Sequence, residues 1–296
     1  MFGKTRQAFY KRKNNDHQFG LEMAIVLDKV GQIRASQKRL GTRKLHRMLS
    51  QTLQNHKIRL GRDRFFNLLA ENGMLVRKRK RKKIQTTDSN HPFKKYPNLI
   101  KELKLSQANQ VWVSDITYLP LVGSRFCYLS LITDAYSRKI VGYCLYPSLA
   151  AEGPIEALKM ALADIKTPKY SLIHHSDRGS QYCSKNYIEL LNNSHVGISM
   201  AEKGNPYENA IAERVNGILK SEFGLDRLFK NYEAAAAIVA ESIRIYNEQR
   251  PHASCDYLTP NQAHTKQGEL VRRWRTKKKD SPKSGLTVDT VNPIQD

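Results

Sequence analysis

The chain has 296 residues, enough for about two ordinary domains, and 40% of them are hydrophobic, which excludes a wholly disordered polymer. Its formal charge of +23 is unevenly spread: residues 1–105 hold 27 Lys and Arg against 7 Asp and Glu, whereas residues 106–296 hold 23 against 20. That front part calls for a polyanion, nucleic acid first, over a merely solvated basic surface.

In chain order, residues 42–53 place Leu45, Met48, Leu49 and Leu53 at helical spacing, with Arg43, Lys44 and Arg47 opposite. Residues 62–72 repeat the pattern with Phe65, Phe66, Leu68 and Leu69, and Gly73 is a natural helix stop. Two short basic amphipathic helices joined by a loop read either as a helix-turn-helix-like unit or as a plain structural pair. Arg77 to Lys83 is an unbroken basic run, and like charges keep such a block extended. The expected organisation is a basic helical DNA-binding region over 1–76, a basic linker over 77–105, a core over 106–267 and a loose basic tail over 268–296.

From residue 110 the period changes. QVWVSDITYLPL, RFCYLSLITDAY and SRKIVGYCLYP read as three successive antiparallel strands. GPIEALKMALADI reads as a helix, SLIHHSD as a short buried strand, SKNYIELLNNS as a helix capped by Ser184, and HVGISMA as another strand. Asn205-Pro206 is a good cap for a helix running to about Phe223, and a last helix spans about Tyr232 to Gln249, before Pro251. The order βββαβαβα predicts an α/β fold, a mixed sheet with helices on its faces, of the ribonuclease H-like kind.

Three acids stand out. Asp115 shares a strand face with Val111, Val113, Thr117 and Leu119, where a carboxylate is costly unless paired or bound to a cation. Asp177 ends a short strand before Arg178-Gly179, where open α/β sheets place their sites. Glu213 falls off its helix's buried stripe, on a face with Asn209, Asn216 and Lys220. Singly these read as a satisfied core aspartate, a turn aspartate and a solvated Glu–Lys face. Together, carboxylates from a first strand, a later strand end and a following helix are what a two-metal phosphoryl-transfer site requires. Asp134 and Asp164 read as structural, Asp134 as a strand-end and turn residue. His174 and His175 read as structural or positioning, since hard ions prefer oxygen.

WVSDITY around Asp115, HSDRGSQY around Asp177 and NPYENAIAERVNGILKSE around Glu213 resemble the three signature blocks of insertion-sequence transposases related to retroviral integrases. The 35 residues between Asp177 and Glu213 are the spacing of that superfamily's DDE pattern, and Lys220 matches its basic residue seven positions on. YNEQRPH and TPNQA resemble the closing segment, and RLGTRKLHRML and GRDRFFNLLAENGMLVRKRK the upstream helical region, of second-reading-frame (OrfB-type) products. The likeness runs to about residue 265. The His-His-Cys-Cys pattern of retroviral integrases is missing before the core.

The resemblance implies a polynucleotidyl transferase that nicks element ends and joins the exposed 3′-hydroxyl to DNA. Asp115, Asp177 and Glu213 would bind two Mg²⁺ ions, with Mn²⁺ able to substitute. Lys220, Tyr207 and Asn209 would contact or position DNA, and Arg43, Lys44, Arg62 and Arg64 would serve end binding. The implied partners are element ends and target DNA, the upstream reading-frame product as a fusion or partner, and further copies of the chain on DNA. FGKTRQAFYKR resembles the group's helix-turn-helix-like stretch. Starting beside Met1, it is expected to be a short, poorly supported helix, with Phe2, Phe9 and Tyr10 finding little to bury against. No phosphate-cradling glycine loop suggests a nucleoside triphosphate. Cys127, Cys144, Cys183 and Cys255 form no CxxC pair, and no apolar run approaches the ~18 residues of a membrane span, so a cytoplasmic protein is expected. Two competing readings remain: a non-catalytic DNA-binding protein, which has no need of three acids, and a hydrolytic nuclease, which leaves the basic front unexplained.

Overall fold

The computed structural model describes residues 5–77, 91–165, 172–202 and 209–273. Helix α1 (Arg6–Ser36) is one continuous 31-residue element capped by the Thr5 hydroxyl, in place of the short terminal helix expected. Only its second half carries a helical apolar stripe, and Met23, Val26 and Val30 are buried accordingly. They pack with Leu45, Leu49, Leu53, Phe65 and Leu69 into a cluster of their own. Phe9 and Tyr10, along the first half, are exposed as expected, while Phe2 lies outside the described residues. The helix expected over 42–53 is divided at Leu49 into α2 (Thr42–Met48) and α3 (Ser50–Asn55). Helix α4 (Arg62–Glu71) ends where Gly73 turns left-handed at φ +63°. There Gly73 N–H reaches Ala70 O at 3.0 Å and Met74 N–H reaches Leu69 O at 2.7 Å, the paired bonds of a Schellman stop.

The span read as a linker divides. Residues 78–90 lie outside the described residues, but 91–105 is bound to the core. Leu99 N–H donates to Ser199 Oγ at 2.9 Å, and Met200 N–H to Pro97 O at 3.3 Å.

The core sheet takes strands β1 (Val111–Leu121), β2 (Arg125–Asp134), β3 (Ile140–Tyr146), β4 (Ile173–Ser176) and β5 (Gly197–Met200) in the order β3-β2-β1-β4-β5. The first three pair antiparallel as a meander, and β4 and β5 continue from β1 in parallel. Because side chains alternate along β1, its two faces enter different cores. Leu119 and Leu121 pack with helices α7 (Ala210–Glu222) and α8 (Tyr232–Gln249) through Val215, Leu219, Val239 and Tyr246. Trp112 packs on the other face with α5 (Glu152–Ala163) and α6 (Lys185–Asn193). Helix α5 lies so close to β3 that a Cβ on Gly142 would sit 2.2 Å from Ala157 O. This is the ribonuclease H-like order, with α8 and the short α9 (Pro260–His264) following α7.

One cap differs from the sequence reading, and another falls outside the described residues. Ser184 precedes α6, but its hydroxyl donates to Gln181 O at 2.8 Å, a local turn that competes with capping. Asn205-Pro206 lies outside the described residues, and α7 as described opens at Ala210. The tail expected to be loose from 268 is tied as far as 273, where Arg273 N–H meets Ala253 O at 2.9 Å. Among the described residues no helix is long and apolar enough to cross a membrane.

Candidate active site

Strands β1 and β4 pair in parallel up to Val113 and His175. Two residues further along each chain path stand Asp115, in the middle of β1, and Asp177, just past the end of β4, and both line one cleft of about 330 Å³. Asp115 Oδ1 accepts from Ile116 N–H at 3.0 Å and its Oδ2 from the Asn216 amide at 2.8 Å. Burial, then the nearby negative charge of Asp177, pushes its carboxyl up to about 7. The Asn216 bond pulls the other way, and the charge of Glu213 adds a smaller upward push. Asp177 Oδ1 accepts from Gly179 N–H at 3.0 Å, and a Cβ on Gly179 would lie 3.1 Å from that oxygen. The glycine thus permits the tight turn that leaves Asp177 facing the cleft.

Glu213 lies in the first turn of α7 and is exposed. Its neighbours on that helix face hold α7 to β1. Asn209, buried, donates its amide to Ser114 O at 3.0 Å, and Asn216, one heptad on, reaches Asp115. Seven residues return to nearly the same side of a helix, so both amides meet the same strand and Glu213 lies between them in sequence. Among the described residues no three His, Cys, Asp or Glu side chains are gathered closely enough to hold a metal ion. Asp115 and Asp177 are nonetheless the hard oxygen donors that a divalent cation prefers, and the charge that raises Asp115 is the kind a cation relieves.

The other expected residues separate by environment. Lys220 places Nζ 4.3 Å from the Tyr118 ring centroid, and burial lowers its pKa while Asp115 and Asp226 oppose that. Tyr207 lies outside the described residues. Asn209 is engaged with the β1 backbone, which suits it to seating α7. Arg43, Arg62 and Arg64 are exposed, Arg62 pairing with Asp63 at 2.9 Å. Lys44 turns inward to Glu222 at 3.0 Å, so its ammonium joins the helical front to the core. Asp134, fully buried, accepts from Asn109 N–H and from both Ser137 N–H and Oγ at 2.7 Å, the turn role read for it. Asp164 ends α5. His174 bonds Ser114 Oγ at 2.6 Å and Tyr187 OH at 2.9 Å, and burial lowers its pKa to about 3, so it is a neutral core group. His175 bonds Ser199 Oγ at 2.8 Å.

Sequence reading assigned no role to Asn216, although it placed that residue on the face of Glu213. It also missed a buried charge cluster. Arg250, 1% exposed, grips Glu222 at 2.7 and 2.9 Å through Nε and Nη2, and its Nη1 lies 2.8 Å from His252 Nε2. The segment YNEQRPH holds both Arg250 and His252, yet nothing local in it indicates that the partners come from α7 and α2.

Two models of the integrase core domain match residues 106–206 and 194–260. The chain is 37% identical over 270 residues to the insertion element IS600 uncharacterized 31 kDa protein of Shigella sonnei, covering 88% of this chain and 94% of that protein. It is 30% identical over 244 residues to the transposase for insertion sequence element IS904 of Lactococcus lactis, covering 77% and 96%. A fainter likeness links it to the HTLV-2 integrase catalytic core domain in complex with magnesium, at TM-score 0.41 and 19% identity, over 53% of this chain and 97% of that one. The chain's own strand order, β3-β2-β1-β4-β5, is that of the matched integrase core family's ribonuclease H-like fold. Its class is therefore a polynucleotidyl transferase of the integrase type. More narrowly, the chain belongs to the insertion-sequence transposases of the DDE superfamily and serves DNA transposition and recombination.

Proposed function

We propose that this transposase nicks the ends of its element and joins the exposed 3′-hydroxyl to DNA, with Asp115, Asp177 and Glu213 as its metal-binding acids. The observation that supports this most is that two of the acids share one cleft and the helix of the third is bonded to the first. Asp115 from β1 and Asp177 from just past the end of β4 line that cleft, and Asn216, on the helix of Glu213, is bonded to Asp115. Two Mg²⁺ ions, or Mn²⁺ in their place, would neutralise charge developing at the scissile phosphate and ease deprotonation of the attacking oxygen. The chain's own groups set the geometry: Asn216 and Ile116 N–H fix both oxygens of Asp115, Gly179 N–H fixes Asp177, and Asn209 seats the helix that carries Glu213.

In this reading residues 1–76 bind DNA ends through the exposed Arg43, Arg62 and Arg64, and residues 106–267 perform the chemistry. Lys220, over the Tyr118 ring that lines the cleft, holds a DNA phosphate, and Tyr207 contacts DNA as well. The partners are element ends, target DNA, further copies of the chain and the upstream reading-frame product. The test is incubation with labelled duplexes bearing the element ends, with Mg²⁺ or with EDTA. Wild type should nick and join only with the metal. Asp115→Asn, Asp177→Asn and Glu213→Gln should each bind DNA but do neither, since phosphate contacts come from Lys and Arg elsewhere. Full activity in any one variant removes that residue from the site.

A further inference from the structure

We infer that the aromatic wall beside the two acids, Tyr118, Phe126 and Tyr128, is a stacking site for one unpaired nucleobase of the DNA strand entering the cleft. This rests on the acid site proposed above.

The wall is built by strand register. Tyr118 pairs directly with Tyr128 across β1 and β2, and Phe126, two residues from Tyr128, falls on the same face. Phe126 stands edge-on to Tyr118, centroids 5.4 Å apart and planes at 90°. It is 44% exposed, and all three rings line the cleft that contains Asp115 and Asp177. A groove that only tracked a phosphate backbone would need cationic and polar walls. Here Ile116 and Leu149 extend the apolar surface, which a sugar-phosphate chain cannot use. A base can, because every base has a π-face and stacks on aromatic rings without regard to sequence. The volume of about 330 Å³ lies at the small end of ligand pockets, a space for one nucleotide. Lys220 Nζ lies over the Tyr118 ring, 4.3 Å from its centroid, so it covers one face of that ring and leaves the exposed Phe126 as the main stacking surface, with a cation beside it for the attached phosphate. Unpairing a base beside a cut site carries a cost, which such a platform offsets.

The base could belong to an element end or to target DNA, and the two are separated by experiment. Full-length protein is bound to end duplexes, or to target duplexes, carrying 2-aminopurine at single positions around the cut. Fluorescence is read before Mg²⁺ is added and nicking is read afterwards. The expected result is a change of about twofold or more at one position in one arm, which identifies the source of the base. Phe126→Leu, apolar but ringless, should abolish the change, and Phe126→Tyr should retain it. Nicking of paired ends, or joining to paired target, should fall about tenfold in Phe126→Leu. It should recover on duplexes mismatched at that position. No response at any position in either arm, or a response that survives Phe126→Leu, overturns the inference. Absence of metal-dependent nicking by wild type would instead count against the acid-site reading, and the fluorescence would still decide the stacking.

Discussion

The side-chain amide of Asn216 donates to Asp115 Oδ2 at 2.8 Å, joining the helix of Glu213 to the strand of the first acid. The bond opposes the rise that burial and Asp177 impose on Asp115. With Asp115 as the proposed active-site acid, Asn216 is a positioning residue, and its removal has a direction. Asn216→Ala should lower nicking near pH 7 by about tenfold, the scale of a hydrogen bond to a charged group. It should also move the acid limb of the pH–rate profile upward. Asn216→Gln should restore part of the rate. An unshifted limb would make the bond merely structural.

Asp115 also sets a stability trend in metal-free protein. Its folded pKa of about 7 lies above the ordinary 3.8, so between those values the native state holds a proton that the unfolded chain has lost. Stability contributed by this group thus falls as pH rises from about 4 to 7, by at most about 1.4 kcal/mol per pH unit. Thermal melts of Asp115→Asn in EDTA should lack that decline. Mg²⁺ at pH 7.5 should raise the melting temperature of wild type more than that of the variant.

Lys220→Ala should leave the fold intact. Alanine is the better helix former, and the substitution removes a single cation–π pair with Tyr118, worth about 0.5–2 kcal/mol. Joining of bound ends should weaken. A normal joining rate at two salt concentrations would return Lys220 to a purely structural place on Tyr118.

The buried cluster gives an unequal pair of variants. Arg250→Met leaves Glu222 with Lys44 alone and should cost about 3–5 kcal/mol in denaturant unfolding. Lys44→Met should cost far less, because Arg250 still holds both Glu222 oxygens. Lys44 titrates near 8 when folded, against 10.5 ordinarily, chiefly through burial. Between those values the unfolded chain binds the extra proton, so stability rises with pH there, and Lys44→Met should flatten that rise.

The sequence by itself determined the class of fold and the two-part charge division, and it singled out the three acids proposed for the site, because strand and helix periods are local and DDE signatures are contiguous blocks. It also identified Asp134 as a turn residue. Only the tertiary structure decided what the neighbours of those acids do. Asn216 and Asn209 read as an exposed polar face until α7 is laid on β1, 101 residues from Asp115 in the case of Asn216. Nothing near Lys44 in the chain announces its ion pair with Glu222, 178 residues away. Tyr118, Phe126 and Tyr128 read as ordinary strand residues until β1 and β2 paired them beside the cleft. The continuity of α1 was likewise hidden, since its polar first half carries no apolar period, and its buried second half packs against helices that begin at residue 42 and beyond. Periodicity reports which face of an element is apolar. The partner on that face, and the charge or ring it meets, is settled only when distant segments pack together.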